Sequence, residues 1–190
     1  KYIKRKNIFG LPVIDFKKIK TRFKPSENKI FVSVGYTKMN NIRENMINRV
    51  KKLGYSCISI IHPKTNIPPD FVYGENCLIM NDVDIHPLVK IGSNNFIWSG
   101  AILSHHVKVG NNCWFTSGSS VAGNTVVGNN CFFGINATIT NNIKINDSCF
   151  IGARALVAKN LPKKSVVISK SDNIHKLKSD SFTDLINNNF

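Results

Sequence analysis

Two adjacent histidines, His105 and His106, follow Ser104 in the middle of the chain. Imidazole loses and gains its proton near neutral pH, which suits a general base. A base of this kind removes a proton from an attacking amine or hydroxyl and contributes roughly 10²- to 10⁴-fold in rate. A surface histidine can equally be a solvated side chain, so its surroundings decide. The five cysteines, Cys57, Cys77, Cys113, Cys131 and Cys149, contain no CxxC and no Cys/His ligand spacing. No metal site is expected. The spacing from Cys113 to Cys131 recurs from Cys131 to Cys149 and, doubled, from Cys77 to Cys113. These four are therefore read as a buried stack of small apolar side chains.

A six-residue repeat must position the histidines. Stepping by six from Ile91 meets Ile97, Leu103, Val109, Phe115, Val121, Val127, Phe133, Ile139, Ile145, Ile151 and Val157. Backward steps meet Ile85, Ile79, Tyr73, Ile67 and Ile61. The residue after each is often Gly or Ala, and the fifth position is mostly small. Three short strands and three sharp turns make one triangular coil out of three hexapeptides. The first position points inward, and the fifth lies near a corner where a large side chain does not fit. Asn pairs such as Asn111-Asn112 and Asn129-Asn130 occupy turns because Asn tolerates left-handed backbone angles. The aromatic residues Phe96, Trp114, Phe132 and Phe150 recur once per coil, as the cysteines do. The expected fold is mainly β: a left-handed parallel β-helix of about five or six coils from Ile61 to Leu161, with a small N-terminal α/β domain. His105 occupies a third position, in a turn and outside the core.

Length and composition agree with one domain plus a small appendage. Apolar residues make up 42% of 190 residues, and no apolar run spans a membrane. The basic start has no apolar continuation, so it is not a signal peptide. A cytoplasmic location follows as the expectation. The chain does not open with Met and is expected to begin inside a longer protein. The formal charge of +15 raises nucleic acid as a partner. The excess, however, sits mainly in residues 1–24, with nine Lys/Arg against Asp15, whereas the repeat carries few charges. Attraction of anionic small molecules is the preferred reading.

The flanks divide the chain into residues 1–61, 62–162 and 163–190. In the first, Lys29–Val34 and Ser56–Ile61 read as strands. Between them, Asn40–Lys52 reads as a helix with Ile42, Met46, Ile47 and Val50 on its apolar side, ended by Gly54. The last part reads as a cap on the final coil, with a short helix at Ser179–Ile186.

The order of these pieces resembles the bacterial sugar acyltransferases of the hexapeptide-repeat β-helix type. That family includes sialic acid O-acetyltransferases and nucleotide-amino-sugar N-acetyltransferases. The resemblance rests on Val34-Gly35, Arg43, Ile61-His62-Pro63, Ser104-His105-His106, Phe133-Gly134-Ile135-Asn136 and Ile151-Gly152-Ala153, and covers residues 9–162. It implies N-acetylation of a nucleotide-linked amino sugar in surface-polysaccharide synthesis, with acetyl-CoA as co-substrate. O-acetylation of a sugar hydroxyl is the alternative. It also implies a homotrimer with sites between subunits, and the residue-level roles that follow.

His105 is the implied base, supported by His106. Trp114, Ile135 and Ala153 are the implied acetyl-CoA contacts. Trp114 has a second reading as one rung of the aromatic ladder. Gly35 and Tyr36 are the candidates for the nucleotide sugar, with Arg43 as the nearby cation. Two departures stand out. The family's opening strand and Gly-rich loop are not found, and His106 stands where a Glu often follows the catalytic His. A protonated His106 would weaken His105 as a base. A β-helix without enzymatic activity, derived from a carbonic-anhydrase-like shell, is a third reading. It is disfavoured because His62, His86 and His105 do not share one face at the repeat spacing.

Overall fold

The computed structural model describes residues 6–171 and, beyond them, residues 176, 178, 179 and 181. Most of the C-terminal helix expected at Ser179–Ile186 lies outside the described residues.

The repeat folds as a parallel β-solenoid with three flat faces. The first face is a seven-stranded sheet. Its strands are Ile60–Ile61, Leu78–Ile79, Phe96–Ile97, Trp114–Phe115, Phe132–Phe133, Phe150–Ile151 and Val166–Val167. The second holds Asp84–Ile85, Ile102–Leu103, Ser120–Val121, Thr138–Ile139 and Leu156–Val157. The third holds Lys90–Ile91, Lys108–Val109, Val126–Val127 and Lys144–Ile145. Each strand pairs in register with its equivalent on the next coil, as in Trp114 to Phe132 and Ser120 to Thr138.

With so short a strand, one side chain points in and one out. All twelve first-position residues from Ile91 to Val157 are buried. The four stacked cysteines are fully buried too, and burial raises the pKa of Cys77, Cys113 and Cys149. These three fill the interior as neutral thiols, while the hydrogen bond with Cys113 lowers the pKa of Cys131. The backward phase ends early. Tyr73 is half exposed, and Phe71 enters the core from a corner position instead. The first coil has no coil stacked beyond it, so its corner has room for a large ring, and Phe71 and Tyr73 stack there at 5.4 Å.

Each corner carries a column of left-handed residues. One column is Asp82, Gly100, Gly118, Asn136 and Arg154. A second is Leu88, His106, Asn124 and Asn142. The third is Asn76, Asn94, Asn112, Asn130 and Ser148. In the third, Asn76 Nδ2 donates to Asn94 Oδ1 at 2.9 Å, and Asn94 Nδ2 to Asn112 Oδ1 at 2.5 Å. The buried amides thus satisfy one another along the solenoid axis.

The N-terminal part packs on the first face. A hairpin pairs Asn7–Ile8 (β1) with Leu11–Pro12 (β2), and short helical turns follow at Phe16–Lys18 and Ile19–Arg22. A 12-residue helix (α1) then spans Asn41–Lys52, with Gly54 in a left-handed conformation just past its end. Its buried residues are Arg43, Ile47 and Val50, whereas Ile42 is exposed. The buried face is thus turned from the expected one, because an arginine rather than an isoleucine meets the solenoid. The expected strand Lys29–Val34 makes a single bridge, Ile30 to Cys57. Val32 bonds instead to the side chain of Asn76, N–H to Oδ1 at 2.7 Å. Of the expected strand Ser56–Ile61, Ile60–Ile61 forms strand pairing, and it does so within the seven-stranded sheet.

Candidate active site

His105 and His106 sit at the corner between the second and third faces. His106 takes a left-handed backbone angle of +62°. Its main-chain N–H donates to Pro87 O at 3.1 Å, and the His105 carbonyl accepts from Asn124 N at 3.0 Å. Both rings are exposed. Their Nδ1 atoms are 3.1 Å apart, and the rings meet edge to face at 5.3 Å. One Nδ1 must carry the proton and the other the lone pair. If His105 donates, its Nε2 is left unprotonated and available as a base. One coil further on, Gly123 lies beneath the His105 ring: a Cβ there would come within 2.4 Å of Cε1. Sequence reasoning passed over Gly123, although its place one full coil after His105 was available as a signal. One coil before, His86 Nε2 pairs with Asp84 Oδ2 at 3.1 Å, so the nearby carboxylate on this strand serves His86.

Ile135 and Ala153 occupy a different corner, between the first and second faces. They stack on successive coils, both exposed. Gly134 permits the close approach of these coils, since a Cβ on it would meet Ala153 N at 2.4 Å. Ser169 Oγ donates to Ala153 O at 2.7 Å and draws the C-terminal segment alongside. Gly152, Ala153, Arg154, Ile168, Ser169 and Lys170 line a cleft of about 330 Å³ there. A cleft with one apolar wall and basic side chains suits a long molecule with phosphate groups. Ser169 and Lys170 were missed because they lie past the repeat, where no periodicity marks them.

Trp114 takes the ladder role. It is 8% exposed and stacks on Phe96 at 5.3 Å, on the outer side of the first face. Tyr36 covers it, with ring centroids 5.3 Å from Trp114 and 4.7 Å from Phe132. Tyr36 itself keeps 50% exposure. The loop it belongs to is held by three consecutive left-handed residues, Lys38, Met39 and Asn40, with Asn40 N bonded to Tyr36 O at 3.0 Å. None is glycine, and each such residue costs about 1–2 kcal/mol. Gly35 is open: a Cβ there meets nothing within 4 Å.

Arg43 corrects the sequence expectation. It is fully buried, not poised over a ligand. Its Nε donates to Asn94 Oδ1 at 3.0 Å, Nη1 to Val34 O at 3.3 Å, and Nη2 to Asn94 O and Cys113 O at 3.2 and 3.3 Å. The guanidinium lies 4.4 Å from the Phe96 ring centroid. Desolvation lowers its pKa to about 10, so it remains charged at neutral pH. It clamps the helix to the solenoid, with four of its five N–H donors engaged by the protein and the guanidinium buried away from solvent.

Within one chain these candidates do not converge. His105 lies at one edge of the second face, and Ile135 and Ala153 lie at the other. Outward residues suggest how this resolves. The third face presents Lys90, Lys108 and Lys144, and the first is covered by the N-terminal part. The second presents Asp84, Ile102, Ser120, Thr138 and Leu156, an uncovered surface with a single charged residue among its strands.

Known proteins share the repeat and the fold. Residues 124–159 match the bacterial transferase hexapeptide (six repeats) family. No curated protein sequence is significantly similar to the chain. Among solved structures, PerB from Caulobacter crescentus in complex with CoA and GDP-perosamine superposes with a TM-score of 0.79 at 26% identity, over 85% of this chain and 77% of that one. The acetyltransferase domain of PglB from Neisseria gonorrhoeae gives 0.78 at 20% identity, over 85% and 78%. WeeI from Acinetobacter baumannii gives 0.56 at 21%, over 87% and 73%. Repeat, fold and likeness together define the class, a left-handed β-helix acyltransferase of the hexapeptide-repeat type. Within it, the chain is similar to PerB, whose complex holds CoA and GDP-perosamine.

Proposed function

We propose that this protein transfers an acetyl group from acetyl-CoA to the amine of a nucleotide-linked amino sugar, with His105 as general base. The observation that carries the reading is the exposed His105 imidazole, held through Nδ1 by His106 and seated on Gly123. The likeness to PerB, whose complex holds CoA and GDP-perosamine, supports both substrate classes. The acceptor amine attacks the thioester carbonyl carbon, and a C–N bond forms. His105 Nε2 takes the amine proton, the C–S bond breaks, and the proton passes to the departing thiolate. Neutral His106 accepts from His105 Nδ1–H and favours the transient imidazolium, the part a carboxylate commonly plays.

The separated corners call for more than one copy. Three solenoids packed through their second faces would place the His105 edge of each against the Ile135–Ala153 edge of the next. Acetyl-CoA would then run along Ile135 and Ala153. The nucleotide sugar would rest by Gly35 and Tyr36 of that same neighbour, its amine directed at His105. Trp114 supports Tyr36 from below. Residues 1–61 form the nucleotide-sugar part, residues 62–162 the acyltransferase part, and residues 163–190 the cap, whose Ser169 and Lys170 join the donor cleft. The product belongs to surface-polysaccharide synthesis in the cytoplasm. No helix among the described residues is long and apolar enough to cross a membrane.

The test is a panel of UDP-, dTDP- and GDP-linked amino sugars with acetyl-CoA, following thiol release and the mass of the product. An amide on one amino sugar is expected. An ester product on a sugar lacking the amine would overturn the N-acetyl reading in favour of O-acetylation. A fully active monomer in sedimentation would overturn the shared site.

A further inference from the structure

We infer that the N-terminal hairpin and the basic segment after it dock the protein on an anionic membrane surface. The observation is a hairpin whose tip is built against its own conformational preferences. Ile8 pairs with Leu11, so Phe9 and Gly10 are the two loop residues, at φ +50° and +77°. Such a turn favours Asn-Gly, and a bulky aromatic residue with positive φ is an outlier. Phe9 is also 99% exposed, and Leu11 beside it is 69% exposed. Solvation and local backbone energy both argue against Phe at this place. A strained, fully exposed aromatic residue is the kind of feature that function retains.

The surroundings identify the partner. Lys6, Lys17, Lys18, Lys20 and Arg22 are exposed on the same segment. Among the described residues, Lys17, Lys18, Lys20 and Arg22 have no ion-pair partner. Asp15, the one acid there, uses its side chain to accept from Lys17 N at 2.9 Å. Beside them, Phe16, Ile19 and Leu53 floor a cleft of about 370 Å³ rimmed by Lys17, Lys20, Arg49 and Lys52. An apolar tip, clustered cations and a cleft with an apolar floor and cationic rim match the bilayer interface. The tip enters the acyl boundary, and the cations meet the headgroup phosphates. A nucleic acid would use the cations but gives a solvent-facing Leu11 nothing to bury.

The experiment is flotation of the full chain with vesicles of phosphatidylcholine alone, or of phosphatidylcholine mixed with phosphatidylglycerol. Binding is expected to the anionic vesicles and to weaken with salt. Phe9→Ser with Leu11→Ser should weaken it by about tenfold or more. Lys17→Gln and Lys20→Gln should each cost roughly fivefold. Acyl transfer to a water-soluble acceptor should be the same in wild type and the hairpin variant, which separates this test from the proposed activity. Equal flotation with neutral vesicles, no flotation, or flotation indifferent to the hairpin variant would overturn the inference. A smaller sedimenting particle for the hairpin variant would assign the tip to a second copy of the chain. Retention of duplex DNA that needs the lysines, without vesicle binding, would assign the segment to nucleic acid.

Discussion

The imidazole of His105 rests on the backbone of Gly123, so closely that a Cβ at Gly123 would lie 2.5 Å from Nε2. Gly123→Ala should therefore displace the ring without harming the buried repeat positions. Turnover should fall about 10- to 100-fold, since small misplacements of a catalytic group are costly. Melting temperature should stay near that of wild type. Unchanged turnover in steady-state assays would mean that the ring is free to reorient.

The paired Nδ1 atoms separate the two histidines by role. His105→Ala should lower kcat by about 100-fold or more with little change in KM for acetyl-CoA. His106→Asn is the informative partner. Asn fills the same left-handed corner at Asn124 and Asn142, so the fold should be kept or slightly stabilised. Its amide can still accept from His105 Nδ1–H, and a loss of less than about tenfold is expected. A full loss in His106→Asn with activity in His105→Ala would move the base by one residue.

Arg43 is a structural clamp, so its removal should register as stability. Arg43→Met would lose the four hydrogen bonds to Val34, Asn94 and Cys113, and about 3 kcal/mol is expected in denaturant unfolding. Loosening should concentrate between residues 29–52 and the solenoid, which hydrogen exchange can localise. A loss of nucleotide-sugar affinity without any loss of stability would return Arg43 to the site.

Gly35 has open space around it and no left-handed angle, so a side chain is accommodated. Gly35→Leu should leave folding and acetyl-CoA binding intact. It should raise KM for the nucleotide sugar by about tenfold if the acceptor approaches this backbone. Identical kinetics would place the acceptor elsewhere.

Asp147 ends a ladder in which Asn111 Oδ1 and Asn129 Oδ1 accept N–H groups one coil earlier. Its own Oδ1 accepts from Asn129 N at 2.9 Å, and Oδ2 meets Lys163 at 3.1 Å. Those bonds, first the one from Asn129 N–H, lower its pKa. A depressed carboxylate contributes stability above its unfolded pKa and loses it as pH falls through the folded value. Asp147→Asn should keep the ladder, lose little at neutral pH because the pair is exposed, and flatten the acid limb of thermal stability. An unaltered acid limb would show that other carboxylates govern it.

The solenoid was legible in the residues because its rule is local. Every sixth side chain must enter a narrow interior, and every corner must accept a left-handed residue, so the phase from Ile91 to Val157 specifies the coil. The outward position of His105 follows from the same count. The rule stops where contacts cease to be periodic. Helix Asn41–Lys52 looked amphipathic through Ile42, yet it buries Arg43, because the facing corner offers the carbonyls of Asn94 and Cys113. Trp114 could have faced a ligand or the ladder, and the docking of Tyr36 across the first face made it a rung. The separation of His105 from Ile135 and Ala153 also belongs to the tertiary structure. Six-residue spacing sets which corner a residue occupies. Which edges of two solenoids can meet depends on the faces left uncovered, and that is a property of the packed surface, not of the repeat.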